Sequence, residues 1–291
     1  TGISNRRIAA KDENVSDMGF KAALSAIDMA NWNPESVDLI ILATSTPSDL
    51  FGSAPMIQAK LQAKKALAFD LTAACSGFLF ALITASQYLS SGKYKRALVI
   101  GSDQLSSYVD WQDRRSCILF GDGAGALAIE ASNEQSNLFG FKLRTDGERG
   151  SFLNLYNKNS SGRILDQIKF RKGGFSNISM NGQEVYKFAV REVPIIINDL
   201  LQEIDFNVSD IDWLILHQAN QRILDAVGER LKINQGKILS NLNNYGNTSA
   251  ATIPLVLDEF IRNHKIKKND IILTSGFGAG LSWGAALLKW G

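Results

Sequence analysis

Cysteine and histidine are almost absent from this chain of 291 residues, which has two of each. Two cysteines, Cys75 and Cys117, allow at most one disulfide, and so sparse a usage fits a reducing compartment better than a stapled secreted fold. Without a Cys-x-x-Cys spacing, a metal centre has almost nothing to build on. No apolar run reaches the roughly 18–20 residues that a membrane-spanning helix needs, and no signal-peptide pattern opens the chain. Nor is charge of either sign concentrated. Lys and Arg number 31 against 29 Asp and Glu, a net charge of +2, and basic residues cluster only in short runs such as Lys64-Lys65 and Lys265-Ile266-Lys267-Lys268. Nucleic-acid binding needs a concentrated positive face and is disfavoured. The expectation is a cytoplasmic protein that holds no metal, membrane or nucleic acid and forms one large domain or two intimately packed halves.

What is present is alternation. Ser16 reads as the N-cap of a helix over 17–31, with Phe20, Ala23, Leu24, Ile27 and Ala30 at helical spacing. Residues 37–44 are continuously apolar and β-branched, as in buried parallel strands. A loop with Pro and Ser leads to a second helix over about 56–62. Residues 66–91 then form a strand, a tight turn at Cys75 and a buried helix. Further strands are expected at 96–102 and, led by glycines, at 120–130. Residues 131–182, with Gly, Ser, Asn and mixed charge, read as strand-linked surface loops, and 184–203 as a long amphipathic helix. Strands alternating with helices indicate an α/β layered fold.

The plan then repeats. A shift of 174 residues lays Val37-Asp-Leu-Ile-Ile-Leu-Ala over Ile211-Asp-Trp-Leu-Ile-Leu-His217, Ala97-Leu-Val-Ile-Gly over Ile271-Ile-Leu-Thr-Ser, and Cys75 over Ser249. Such an echo implies a duplicated α/β unit whose site lies where corresponding strand ends and helix starts meet. Taken singly, Cys75 is most often a small buried apolar residue, His217 a hydrogen-bonded structural histidine, and Asn247 a turn or capping residue. The repeat brings all three together. A cysteine at a helix start also has unpaired N–H groups nearby that favour a thiolate.

The motifs Ala73-Ala-Cys-Ser-Gly-Phe, His217-Gln-Ala-Asn220, Gly246-Asn-Thr-Ser-Ala and Phe277-Gly-Ala-Gly-Leu-Ser-Trp-Gly284 resemble those of β-ketoacyl-[acyl carrier protein] synthase III, among the thiolase-fold condensing enzymes. The likeness runs along nearly the whole chain, in order. Elongating ketosynthases place histidine where this chain has Asn247, which separates it from them. The resemblance implies a thiolase-like α-β-α-β-α fold of five layers, its two halves pseudo-twofold related with mixed, mostly parallel sheets. Residues 1–134 would carry the nucleophile and 135–291 the histidine and asparagine.

By the same resemblance, Cys75 takes an acyl group from acyl-CoA, and His217 and Asn247 bind the malonyl thioester during decarboxylation. The amides of Cys75 and Ala279 form the oxyanion hole; the family often has glycine where Ala279 stands. Arg114, Asn220 and Arg222 match CoA contacts, and Lys187, Arg222 and Arg230 a basic face for an acidic carrier protein. Phe51 matches an aromatic that crosses a homodimer interface to line the acyl pocket. The implied reaction joins acetyl-CoA, or another short acyl-CoA, to malonyl-[acyl carrier protein] at the start of type II fatty acid synthesis, with no cofactor. A related acyltransferase of polyketide, quinolone or olefin biosynthesis is the alternative. A cysteine peptidase also orders Cys, His and Asn this way, but it lacks the duplication and needs a different cysteine context. The glycines at 121–125 and 276–280 do not lead from strand to helix with the spacing or lysine of a nucleotide loop.

Overall fold

The computed structural model describes residues 1–132, 136–158, 160–165 and 168–291, with the backbone alone at 160–165 and 168–172. The first half runs α1 (Val15–Ala30), β1 (Leu39–Ala43), α2 (Ala54–Leu61), β2 (Leu67–Leu71), α3 (Gly77–Ser90), β3 (Arg96–Gln104) and β4 (Asp122–Glu130). Then come β5 (Leu138–Thr145) and the short β6 (Leu153–Asn154), β7 (Ser160–Leu165), β8 (Ile168–Lys172) and β9 (Ser179–Met180). The second half runs α4 (Gly182–Glu203), β10 (Trp213–Leu216), α5 (Gln221–Leu231), β11 (Ile238–Leu239), α6 (Leu242–Tyr245), α7 (Thr252–Arg262), β12 (Ile271–Gly278) and β13 (Ser282–Lys289).

Two sheets of matching order carry the duplication: β2-β1-β3-β4 in the first half and β11-β10-β12-β13-β5 in the second. In each, the central pair is parallel and the last hairpin antiparallel. β1 is buried at every position, which is why it reads as an unbroken apolar run rather than an alternating one. Helices α3 and α7 lie between the sheets, α1 and α2 cover the outer face of the first, and α4 and α5 that of the second. The result is the expected five layers. Phe78, Ala81, Leu82 and Ala85 of α3 meet Ile253, Val256 and Leu257 of α7 in one core cluster that also takes residues from both sheets. Each fully buried large side chain there contributes about 1.5–3 kcal/mol.

Several element starts differ from the sequence reading. Asn14, rather than Ser16, caps α1: its side chain accepts the Asp17 amide while Asp17 accepts the Asn14 amide. This reciprocal box contributes about 1 kcal/mol. The Ser16 hydroxyl turns inward to Ser48 instead. The buried face of α1 is Val15, Gly19, Ala23 and Ile27, so Leu24 faces outward. Gly19 packs closely there: a Cβ would stand 2.8 Å from Ile57 Cδ1 and push that methyl aside. Pro55 sits in the first turn of α2 and so starts that helix earlier than expected, at Ala54.

Within 131–182, β5 is no surface loop. It closes the second sheet against β13. The proposed boundary at 134/135 falls on 133–135, outside the described residues. The echo also needs a local correction. Ala74 and Ser249 both take the left-handed conformation, with φ of 48° and 52°, so around the site the shift becomes 175 (Ala74 onto Ser249). The counterpart of Cys75 is therefore Ala250, one residue beyond the expected Ser249.

Candidate active site

Cys75 stands in a single 3-10 turn, Ala74–Ser76, that leads directly into α3. Ala74 at positive φ makes the sharp exit from β2 that presents the thiol. From the opposite half, β12 ends against it. A Cβ on Gly278 would lie 2.6 Å from the Cys75 amide nitrogen, so only glycine lets that strand pass. Among the described residues, neither the Cys75 amide nor that of Ala279, one residue beyond β12, donates to another residue outside its own element, and the Cys75 amide turns to its own sulfur. Two free N–H groups at a strand end and a helix start are what an oxyanion hole requires.

The thiol itself is buried, at 6% exposure, and bonded to the Ser249 hydroxyl. Burial pushes its pKa up to about 12, and the nearby Asp103 pushes in the same direction. Cys75 therefore rests as a thiol. This corrects the expected thiolate: loss of solvent outweighs the favourable N–H groups of the turn.

His217 follows the last residue of β10, its amide held by Ser275 O at 2.8 Å. The ring is 1% exposed and packs edge-on against Phe277, centroids 5.1 Å apart. Nδ1 lies 2.7 Å from Thr252 Oγ1, which is also 2.9 Å from Ser249 O. The Thr252 hydroxyl has one proton for two acceptors: given to Ser249 O it places the imidazole proton on Nδ1, and given to Nδ1 it places that proton on Nε2. Burial pulls the pKa down from 6.5 to about 3, so the ring is neutral at working pH.

Asn247 is locked by its backbone and its side chain. Its amide donates to Leu119 O and its carbonyl accepts the Gly121 amide, both at 2.9 Å, which joins the asparagine of one half to the strand-leading loop of the other. Arg6 reinforces that junction by donating to Cys117 O and Phe120 O. The Ser249 amide needs an acceptor and finds Asn247 Oδ1 at 2.9 Å, which fixes the carboxamide so that Nδ2 remains the free donor.

Cys75, His217 and Asn247 line one cavity of about 290 Å³, walled by Phe188, Ile223, Phe277 and Leu281. Arg114, Asn220 and Tyr186 line it too. Arg114 is exposed and, unlike Arg115, has no carboxylate partner among the described residues. The Asn220 side chain caps α5 through the Arg222 amide. Arg222 stands outside the lining, its guanidinium 5.2 Å from the Tyr186 ring. Lys187 is exposed and paired with Glu184, and Arg230 is exposed in the last turn of α5. Phe51 is fully exposed and does not line the cavity of its own chain. The sequence reading missed Thr252 and Asp103, and took Ser249 only as the counterpart of Cys75. Asp103 had a signal, a carboxylate ending an apolar strand, and Ser249 lies in a named motif, but Thr252 had none. No group of three or more His, Cys, Asp or Glu able to hold a metal occurs among the described residues.

The buried imidazole has a measurable consequence. Below pH 6.5 the unfolded chain binds a proton at His217 that the folded chain refuses until about pH 3. This residue's contribution to stability is present above pH 6.5 and falls by about 1.4 kcal/mol per pH unit as the pH drops. Denaturant titrations at about pH 7, 5.5 and 4.5 are expected to show that slope in the unsubstituted chain and its loss in His217→Gln. Identical slopes would refute it.

Residues 69–147 and 201–290 match the two family models described as 3-oxoacyl-[acyl-carrier-protein] synthase III and its C-terminal part. A β-ketoacyl-[acyl-carrier-protein] synthase III of Prochlorococcus marinus (strain MIT 9515) is 72% identical over the whole chain, which covers 87% of that protein. The solved 3-oxoacyl-[acyl-carrier-protein] synthase III of Aquifex aeolicus VF5 superposes with a TM-score of 0.90 at 42% identity, covering all of this chain and 89% of that one. The priming β-ketosynthase of a polyketide pathway also gives 0.90, at 31% identity over all of this chain and 86% of that one. With the paired sheets, the cysteine turn and the His and Asn donors on one cavity, these likenesses place the chain in the β-ketoacyl-[acyl carrier protein] synthase III family of thiolase-fold condensing enzymes.

Proposed function

We propose that this chain starts type II fatty acid synthesis by joining a short acyl-CoA, acetyl-CoA by default, to malonyl-[acyl carrier protein] with loss of CO2. The observation that carries the proposal is the convergence of a thiol, a neutral imidazole and an oriented amide on one apolar cavity. The Cys75 sulfur attacks the acyl-CoA carbonyl, and the amides of Cys75 and Ala279 take the oxyanion. CoA leaves as a thiolate and receives the proton that Cys75 gives up. Once CoA has gone, His217 Nε2–H and Asn247 Nδ2–H hold the malonyl thioester carbonyl. The bond to the carboxylate breaks, CO2 departs, and the electron pair forms an enolate whose oxygen faces those two donors. A neutral histidine donates there without surrendering its proton. The enolate carbon attacks the acyl-Cys75 carbonyl, and the Cys75 thiolate is expelled and takes one proton from solvent. Every atom of the products comes from the two thioesters and that proton, so the scheme needs no further cofactor.

The surface supports the partners this reaction implies. We assign carrier-protein docking to Lys187, Arg222 and Arg230, exposed on α4 and α5: Lys187 and Arg222 adjoin Tyr186 and Ile223 of the cavity lining, and Arg230 stands further along α5. Such charges steer encounter more than they add affinity. Strand β2 leaves one edge of the first sheet unpaired, with Leu67 exposed and Leu50 and Phe51 protruding beside it. An open apolar edge of this kind suits a second copy of the chain, and sedimentation as a monomer at micromolar concentration would remove that part. Among the described residues no helix is long and apolar enough to cross a membrane, consistent with work in the cytoplasm.

Product analysis tests the proposal. With acetyl-CoA and malonyl-[acyl carrier protein], the purified chain is expected to release one CO2 per 3-oxobutyryl-[acyl carrier protein] formed, and Arg222→Glu to raise KM for the carrier substrate. The similarity to a polyketide priming synthase keeps a polyketide, quinolone or olefin-type acyltransferase as the second reading. Turnover only with longer or branched acyl-CoA, and none with acetyl-CoA, would favour it.

A further inference from the structure

The duplication leaves two copies of one structural device, finished differently. At the shift of 175 (Ala74 onto Ser249), Gly278 and Ala279 correspond to Asp103 and Gln104, and Cys75 corresponds to Ala250. In the copy that holds the thiol, bare Gly278 presses on the Cys75 amide, and the amides of Cys75 and Ala279 stay free. In the other copy both corresponding amides are occupied. Ala250 N donates to Asp103 Oδ2 at 3.2 Å, and Gln104 N donates to Thr46 Oγ1 at 2.8 Å. Thr46 Oγ1 in turn donates to Asp103 Oδ1 at 3.1 Å. The Asp103 carboxyl group and the Thr46 hydroxyl bonded to it therefore take, one each, the two amides that correspond to the free pair.

Asp103 is wholly buried and spans the two halves. Oδ1 also accepts the Ser45 amide at 2.7 Å and the Thr44 hydroxyl at 3.1 Å. Two of these donors are backbone N–H groups with no alternative acceptor in reach, so a neutral side chain of the same shape leaves at least one unmatched. What the carboxylate holds is the Ser249–Ala250 turn. Ser249 N–H orients the Asn247 carboxamide, and Ser249 O shares Thr252 Oγ1 with His217 Nδ1. Both donors to the malonyl carbonyl thus take their orientation from one turn.

We propose that Asp103 is a positioning residue for the decarboxylation step: a built-in acceptor that, with Thr46, occupies the silent copy of the oxyanion hole and clamps the turn from which Asn247 and His217 are aimed. The Cys75 backbone is carried by the first half's own 3-10 turn and α3, and its thiol reaches that turn through the Ser249 hydroxyl. Asp103 also disfavours the Cys75 thiolate, so its removal works for acylation while it works against decarboxylation. The two half-reactions are expected to separate.

The inference rests on the condensing activity proposed above, and its test includes one reading that does not. Asp103→Asn, Asp103→Ala and Thr46→Val are compared with the unsubstituted full chain. The rate of acetyl adduct formation on Cys75 is followed by intact mass, and condensation by 3-oxoacyl product. The imidazole resonances of the two histidines are followed by nitrogen-edited NMR. Acylation is expected to stay within about threefold, condensation to fall about 100-fold, as for a misplacement near 1 Å, and the His217 resonances to move while those of exposed His264 do not. Thr46→Val keeps the carboxylate and is expected to show the same split at about tenfold, which decides the matter if the Asp103 variants do not fold. Equal losses in both half-reactions, or no loss in either, would overturn the proposal. So would unmoved His217 resonances, and that reading holds even for a chain without condensing activity.

Discussion

Cys75→Ala is expected to abolish the acyl adduct entirely and to reduce condensation to background, a loss on the order of 10⁶-fold by analogy with removal of other covalent nucleophiles. The substitution should leave the fold intact. The side chain is small, follows Ala73 and Ala74 in the turn, and has the Ser249 hydroxyl as its side-chain hydrogen-bond partner. His217 and Asn247 keep their own partners in this variant, so slow release of CO2 from malonyl-[acyl carrier protein] should persist without carbon–carbon bond formation. Intact mass spectrometry after incubation with acetyl-CoA, beside a CO2 assay, reads both outcomes. An adduct that survives in the alanine variant would remove Cys75 from the mechanism. A variant silent in both assays, with an unchanged unfolding profile, would show that decarboxylation needs the acylated cysteine in place.

Gly278→Ala is the second large effect. The new methyl would stand 2.6 Å from the Cys75 amide nitrogen and 3.0 Å from its Cβ, and backbone cannot yield as a flexible side chain does. The oxyanion donor must move. Loss of one such donor costs about 10²–10³ in turnover, or about 2.7–4 kcal/mol of barrier, with a further ~1–3 kcal/mol of stability from overpacking. Acylation and condensation both pass through a tetrahedral oxyanion in the same hole, so both should fall together, unlike the separation expected for Asp103. Gly147→Ala is the control, because a Cβ there meets nothing within 4 Å. If Gly278→Ala acylated Cys75 at the unsubstituted rate, the Cys75 and Ala279 amides would not be the oxyanion hole.

The site was legible where chemistry lies in one residue type and the fold where burial lies in one run. The continuous apolar stretch of β1 could be read because both faces of that strand are covered. The internal echo could be read because β1 and β10 are apolar runs in the same place of matching sheets, although their pairing with β3 and β12 differs by one residue, Leu39 facing Ala97 and Trp213 facing Ile272. Cys75, His217 and Asn247 stood out through motifs. What did not stand out was whatever depends on the third dimension. Ser16 is as good a capping residue as Asn14 by type, and only the reciprocal Asp17 bond decides between them. Strand β5, with glycine at 140 and charges at 142 and 144, looks like loop until β13 is laid beside it. The thiol's raised pKa follows from burial by chain far away in sequence, and a local reading of the helix start takes only the opposing influence. Thr252 is one threonine among many until Nδ1 of His217 is found 2.7 Å from it.

The partnership of β5 with β13 also sets a timetable for synthesis. Thr145 and Ser282, which pair across that ladder and whose hydroxyls lie 3.2 Å apart, are separated by 137 residues. At translation rates of about 5–20 residues per second, β5 waits roughly 7–27 s on the ribosome for its neighbour. An unpaired strand exposed for that long invites association with other nascent chains. Lys142 and Arg144 on β5 guard against it by charge, and α4, made well before β13, offers Glu203 and Asp199 as their partners. Replacing those two cations would leave the mature site untouched while making its assembly more vulnerable. The last strand to arrive is also the one that fixes the far side of the Ala279 turn, so catalytic competence comes only with the closing of the sheet.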